Sequence, residues 1–320
     1  MTFYIVRRVL IGVVLLLFMT VIFFALTRIT PGEPITAGEN PHANQVLIDQ
    51  RLARMGLNQP WYLQYPTYLK ALVHGDLGDS YQYHEPVTTL LQQRVPNSVL
   101  LYGTSTIVAL LIGIPLGMFA ATRQYSKIDM STSVISYVGF STPSFVLGIF
   151  LLLTFAVAIR KTPIAMGLPL GGMHSGGEDS LGDLAVHMIL PVTSLAILSI
   201  AQFSRFMRAS LLEVLHQDYI RTARAKGLPP RVVNYKHALR NAVVPLITIV
   251  ALSAPVIVAG AIITEGIFSW PGIGQLAFQA SLDRDYPVIM GVIMLVAVTT
   301  VLFNLVADIA YAWVDPRIRY

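Results

Sequence analysis

Cysteine is absent from this sequence of 320 residues. That excludes a disulfide framework and any thiolate-bound metal site. Charge is scarce too: Asp, Glu, Lys and Arg make up 12% of the residues, against about 25% in an ordinary soluble domain. No lysine follows a glycine, so there is no Walker A loop to cradle nucleotide phosphates. No G-x-S-x-G nucleophile elbow occurs. The histidines, His42, His74, His84, His174, His187, His216 and His237, are scattered and form no H-E-x-x-H pair, which argues against a zinc enzyme. "GIGQLA", Gly272 to Ala277, formally fits a dinucleotide fingerprint, but it follows "FSWP" with no strand–helix unit around it. Those glycines are expected to form a turn before a short helix. No residue is assigned a catalytic role.

What the sequence does hold is oil. Hydrophobic residues make up 54% of it and fall in long blocks. A helix needs about 20 apolar residues to cross a bilayer. Six segments qualify: Val9–Thr27, Ser98–Thr122, Thr132–Ile159, Leu184–Phe203, Ala242–Thr264 and Val288–Val314. The first follows Arg7 and Arg8 but is longer than a signal-peptide core, and no A-x-A site follows it, so a retained anchor is expected. The expected class is an all-α membrane protein with six transmembrane helices.

The net charge of +5 is concentrated. Between residues 205 and 241 lie Arg205, Arg208, Arg221, Arg224, Lys226, Arg231, Lys236 and Arg240, against Glu213 and Asp218. With six alternating spans, this loop, Arg123 and Lys127, and both termini share one side. The opposite side carries Glu178, Asp179, Asp183, Glu265, Asp283 and Asp285, with Arg160 and Lys161 as exceptions. Lysine and arginine collect on the cytoplasmic side, so both termini are expected there. The segment from Arg28 to Asn97, with amphipathic pieces "QVLIDQRLARMG" and "PTYLKALV", reads as an extracytoplasmic subdomain. The expected organisation is an anchor plus subdomain over residues 1–97 and a five-helix core over 98–320, with its cytoplasmic loop at about 205–241.

The spans hold almost no ionisable groups, which counts against a carrier driven by its own proton relay. Pro143, inside "GFSTPSFVLG", is expected to kink the third span. Two readings stay open. Ser141, Pro143 and Ser144 could line a pathway where water satisfies the freed backbone. Alternatively, Gly139, Ser141 and Ser144 could serve close helix packing.

In the basic loop, Glu213 to Lys226 is expected to be helical, with Gly227 as its C-terminal cap. Arg224 and Lys226 complement the helix dipole. Pro229 and Pro230 suit the first turn of a second helix, which runs through "RVVNYKHALRNA" into the fifth span. Ala223, Ala225 and Gly227 would make the tip of this elbow small-sided, open to close approach by another protein. A partnerless loop touching anionic lipid would explain the charge, but not the elbow.

"DYIRTARAKG" resembles the cytoplasmic coupling loop, or EAA loop, of ABC importer permeases. Aligned on Gly227, Ala223 and Leu239 agree with the general family, while Arg221, His237 and Arg240 depart from it. "YIRTARAKG" followed by "HALRNA" is similar to the peptide and nickel branch. So are "TPGEP", "GLNQPWYLQY", "HGDLGDS", "HMILP", "EGIFSWPGIGQL", "RDYPVIMG" and "VDPRIRY", in order along nearly the whole chain. The resemblance is to the first (B-type) membrane subunit, closest to the oligopeptide permease.

It implies a type I ABC importer, MetI-like permease fold in a bacterial cell membrane, with an extracytoplasmic subdomain between helices 1 and 2. Implied partners are a second permease subunit, two ABC ATPases that hold ATP and Mg, and an external peptide-binding protein. This chain would hold no cofactor and would not be an enzyme. Asp218, Tyr219, Ile220, Arg221, Thr222, Ala223, Arg224, Ala225, Lys226 and Gly227 would contact an ATPase. Within the same family the cargo could instead be dipeptide, nickel, haem or glutathione. From other classes, a self-sufficient channel or ion-coupled carrier, or a membrane-anchored scaffold, stay open.

Overall fold

The computed structural model describes residues 2–29, 60–158, 168–176 and 180–314. The described chain is almost entirely helical: α1 (Thr2–Ile29), α2 (Trp61–Val73), α3 (Val87–Thr122), α4 (Lys127–Ser141), α5 (Ser144–Leu153), α6 (Leu181–Leu215), α7 (Asp218–Ala225), α8 (Pro230–Val232), α9 (Leu239–Ala242), α10 (Val244–Ala259), α11 (Ile262–Ile267), α12 (Ile273–Leu282) and α13 (Tyr286–Val314). Short π-helical turns follow α5 at Thr154–Ala158 and α8 at Val233–Ala238. Among the described residues five helices are long and apolar enough to cross a membrane, or six if one bent pair counts as a span. With no water to satisfy backbone groups in lipid, such runs must close their hydrogen bonds within the helix.

The chain divides into two compact units. The first holds residues 1–98, 258–262 and 271–320. Its core joins Val87, Leu90 and Leu91 at the start of α3 to Ile273, Leu276 and Ala280 of α12 and Val288 and Val292 of α13. Gly12 of α1 lies so close to α13 that a Cβ there would meet Val301 Cγ1 at 2.6 Å. The Thr20 and Tyr65 hydroxyls, 2.9 Å apart, and an edge-on Phe24–Tyr65 contact hold α2 to α1.

Asp285, fully buried, caps α13 by accepting from the Val288 N–H, and it also accepts from the Ser80 hydroxyl and the Gln82 N–H. The loop before α3 is thereby clipped to the start of α13. "PTYLKALV" is helical as expected, in α2, while "QVLIDQRLARMG" lies outside the described residues. "GIGQLA" is the expected turn and helix start, with Gly272 in the N-cap position of α12.

The second unit holds residues 99–257 and 263–270. Its core combines Ala109, Met118 and Ala121 of α3, Phe203, Met207 and Leu211 of α6, Ile220 and Ala223 of α7, and Val233, Ala238, Ala242 and Leu246. Glycine permits the α3–α6 approach: a Cβ at Gly117 would fall 2.5 Å from the Ser204 carbonyl oxygen.

Three expectations are corrected. The third span is not a kinked helix but two helices meeting at 98°, because Thr142 is extended (ψ 120°) and Pro143 stands in the N-cap position of α5. The fifth apolar run does not stay helical to Thr264. It ends at Ala259, where Gly260 takes φ 75° and a separate short helix follows. The helix expected over Glu213 to Lys226 is broken at His216 and Gln217, which terminate α6 and begin α7.

Candidate functional site

The basic loop folds as an elbow of the second unit. At eight residues α7 is too short to be helical alone, so tertiary contact must hold it. Ile220 and Ala223, one turn apart, supply that contact: they are 0% and 7% exposed and join the cluster around Met207, Leu211 and Val233. Burying an isoleucine side chain is worth about 1.5–3 kcal/mol. The small-sided tip expected from Ala223, Ala225 and Gly227 is thus corrected in part. Ala223 faces inward, while Ala225 and Gly227 are exposed.

The end of α7 is closed by a Schellman arrangement. The Gly227 N–H donates to the Arg224 carbonyl (2.9 Å) and the Leu228 N–H to the Ala223 carbonyl (3.4 Å), with Gly227 at φ 75°. Pro230 opens the following helix and Pro229 occupies its N-cap position. Asn241 donates to the Tyr219 hydroxyl at 2.7 Å, joining α7 to α9 across the elbow.

The outer face is cationic. Arg221, Arg224, Lys226, Arg231, Lys236 and Arg240 are all exposed. Arg221 stands 3.6 Å from Asp218, a solvent-facing contact of little energetic consequence. Among the described residues the other five have no carboxylate within ion-pair distance. Asp218, Tyr219, Thr222, Ala225 and Gly227 are also exposed. Of the ten residues from Asp218 to Gly227, then, Ile220 and Ala223 anchor the elbow and the rest face outward.

The second candidate feature is the break between α4 and α5. Ser141 and Pro143 are exposed, and Ser144 is half-buried. The Thr142 N–H donates back to Val138 at 3.1 Å, and the Pro143 carbonyl accepts from Val146 and Leu147. These bonds close the last turn of α4 and open the first turn of α5. On either side a glycine packs tightly: a Cβ at Gly139 would lie 3.3 Å from Ala201 Cβ, and one at Gly148 3.2 Å from the Phe268 ring.

Sequence reading missed the charged contact below this break. Asp129 and Arg208 form a two-pronged ion pair, Nε to Oδ1 at 2.6 Å and Nη2 to Oδ2 at 3.0 Å, with Asp129 4% exposed. The only local signal was Ser126, three residues before Asp129, whose hydroxyl caps α4 by accepting the Asp129 N–H.

Comparison with known proteins accords with this architecture. Residues 113–320 match the family described as binding-protein-dependent transport system inner membrane component, and residues 1–102 match its N-terminal companion. The chain is 42% identical to the oligopeptide transport system permease protein AppB of Bacillus subtilis, covering 100% of both chains. It is 37% identical to the dipeptide transport system permease protein DppB of Escherichia coli, over 99% of this chain and 98% of that one. Among solved structures, an inward-facing conformation of the MetNI methionine ABC transporter has the same fold. The TM-score is 0.56 at 19% identity, over 71% of this chain and 97% of that one. Matched over residues 113–320 and 37–42% identical to relatives along nearly its whole length, the chain belongs to the family of binding-protein-dependent transport system inner membrane components.

Proposed function

We propose that this chain is the B-type permease subunit of an ATP-driven oligopeptide importer. It forms half of a translocation pathway with a second permease subunit, takes its power from two ABC ATPases that hold ATP and Mg, and receives peptide from an extracytoplasmic binding protein. Both termini and the elbow face the cytoplasm, and the segment between α1 and α3 faces outward. The chain itself holds no cofactor and performs no chemistry. The relatives' names, which speak of oligopeptide and dipeptide transport, support the cargo class.

One observation carries the coupling role: a short helix seated through Ile220 and Ala223 presents an otherwise solvent-facing cationic surface. Pushing on α7 loads the core of its unit, because its anchors are shared with α6 and with the helical run after Pro230. Acidic groups on an ATPase would steer its approach. Asp218, Tyr219, Arg221, Thr222, Arg224, Ala225, Lys226 and Gly227 form this coupling surface, seated from within by Ile220 and Ala223, and Ser141, Pro143 and Ser144 mark the pathway at the α4–α5 break.

The test is co-reconstitution in liposomes. The full assembly takes up a fluorescent pentapeptide only with ATP and binding protein, and this chain alone neither transports nor hydrolyses ATP. ATP-independent uptake by the purified chain alone overturns the proposal in favour of a self-sufficient carrier.

A further inference from the structure

Two arginines stand three residues apart on α6, and the fold treats them differently. Arg208 is neutralised by both oxygens of Asp129. Arg205 is exposed, and among the described residues no carboxylate lies within ion-pair distance of it. Its guanidinium instead lies 4.7 Å from the centre of the Tyr137 ring and 5.6 Å from that of Phe140, both in the last turns of α4. Aromatic faces hold a guanidinium in place without consuming its N–H groups. The donor fork is thus positioned and left open, in the form that takes a carboxylate on two parallel bonds.

The neighbouring side chains identify the face on which this fork lies. Ser136 and Gly139 form the seam with α6, against Ser204 and Ala201. On one side of that seam Ser133, Tyr137 and Ser141 recur every four residues and so share a face. Away from it, Val134, Ile135 and Val138 are exposed and wholly apolar, as lipid requires. Polar side chains within spans face a bundle interior or a water-filled path. On α6, Gln202 lies one turn before Arg205. It is half-buried, and no described residue hydrogen-bonds its side chain.

We propose that Arg205 binds the terminal carboxylate of the peptide in transit, with Gln202 beside it as a further donor. The proposal rests on the transport reading above and names a substrate contact for it. Side chains change from one peptide to the next, but every unmodified peptide ends in a carboxylate. Ser141, one turn beyond Tyr137, sets the site beside the α4–α5 break. A phospholipid phosphate also suits a guanidinium fork, but the Ser133–Tyr137–Ser141 stripe favours a watery path over acyl chains. Exposure keeps the contact weak enough for release.

The test uses the intact assembly, with binding protein and ATPases, in liposomes with and without phosphatidylglycerol. One pentapeptide sequence is supplied with a free or an amidated C-terminus. The same binding protein serves every arm, so its own preference cancels when permease variants are compared. Arg205→Gln is expected to cut ATP-driven uptake of the free acid roughly fivefold or more, and that of the amide less than about twofold. Arg205→Lys, which keeps the charge but not the fork, is expected to fall between. Equal loss for both peptides, or loss for neither, overturns the site. So does a loss seen only with phosphatidylglycerol and alike for both peptides, which assigns Arg205 to a lipid phosphate. Where Arg205→Gln does not assemble, Tyr137→Leu decides, because it removes one ring from beside the guanidinium. Uptake of free acid relative to amide should then fall about twofold or more, and an unchanged ratio overturns the site. The unsubstituted assembly separates the two levels: no ATP-driven uptake of the free acid there sinks the transport reading, whereas uptake there with the same ratio in Arg205→Gln sinks only the carboxylate site.

Discussion

Gly227 offers the sharpest test of the elbow, because two reasons for a glycine can be told apart there. Its φ is +75°, and a Cβ added to it would meet nothing within 4 Å. In this chain, then, the whole cost of a side chain is conformational. A left-handed backbone costs an L residue about 1–2 kcal/mol; asparagine tolerates it best, and a β-branched residue least. That penalty is set against an anchoring of similar size, since full burial of Ile220 supplies about 1.5–3 kcal/mol. A loss of 1–2 kcal/mol changes the capped population by about 5- to 30-fold.

Hydrogen exchange of the α7 amides, with those of Gly227 and Leu228, should therefore accelerate in the order Gly, Asn, Ala, Val, and peptide uptake should fall in the same order. The membrane spans stay inserted, because the change lies outside all of them. Equal exchange in all four proteins would refute the conformational argument. Asparagine as damaging to uptake as valine, with α7 still protected, would show that the glycine serves close approach by a partner instead.

Two further consequences concern the first unit. At Gly274 a Cβ would fall 2.6 Å from the Ile262 nitrogen, a backbone atom that cannot swing aside; Gly274→Ala should cost about 1–3 kcal/mol and lower the thermal midpoint in detergent by roughly 2–10 °C, and an unchanged midpoint would contradict so tight an approach. Asp285→Ala removes the α13 cap and leaves the Ser80 hydroxyl without its acceptor, a combined loss of about 2–4 kcal/mol; limited proteolysis should then cut between residues 76 and 86 faster than in the wild type, with Asp285→Asn, which keeps an acceptor oxygen, lying between the two.

Whether a feature is legible in the amino-acid sequence depends on whether it is local. The apolar runs are legible because a bilayer demands length and hydropathy from consecutive residues. The Gly227 cap and the Pro229–Pro230 start are legible because backbone limits act on single residues. Hydropathy, however, is blind to backbone direction. The run "VIVAGAII" is apolar throughout, yet Gly260 turns out of the helix in the middle of it. Pro143 marks the place of a bend but not its 98° angle, which depends on Thr142 becoming fully extended. Small size alone suggests a surface position for Ala223, yet it is buried. Its three-residue spacing from Ile220 is the better guide, since it puts both on one helical face.

Asp129 and Arg208, 79 residues apart, share no local pattern. Physical chemistry nevertheless narrows what such an arginine can do. In a chain with only 12% charged residues, an arginine at the end of an apolar helix must reach solvent, lie on an aromatic face or find a carboxylate. Arg205 takes the second course and Arg208 the third. The need for a partner falls on Asp129, whose side chain is 5% exposed while that of Arg208 is 30% exposed. Which partner it finds follows from α4 lying against α6, and that contact is set by small residues, Gly139 with Ala201 and Ser136 with Ser204, whose significance lies in what they fail to fill.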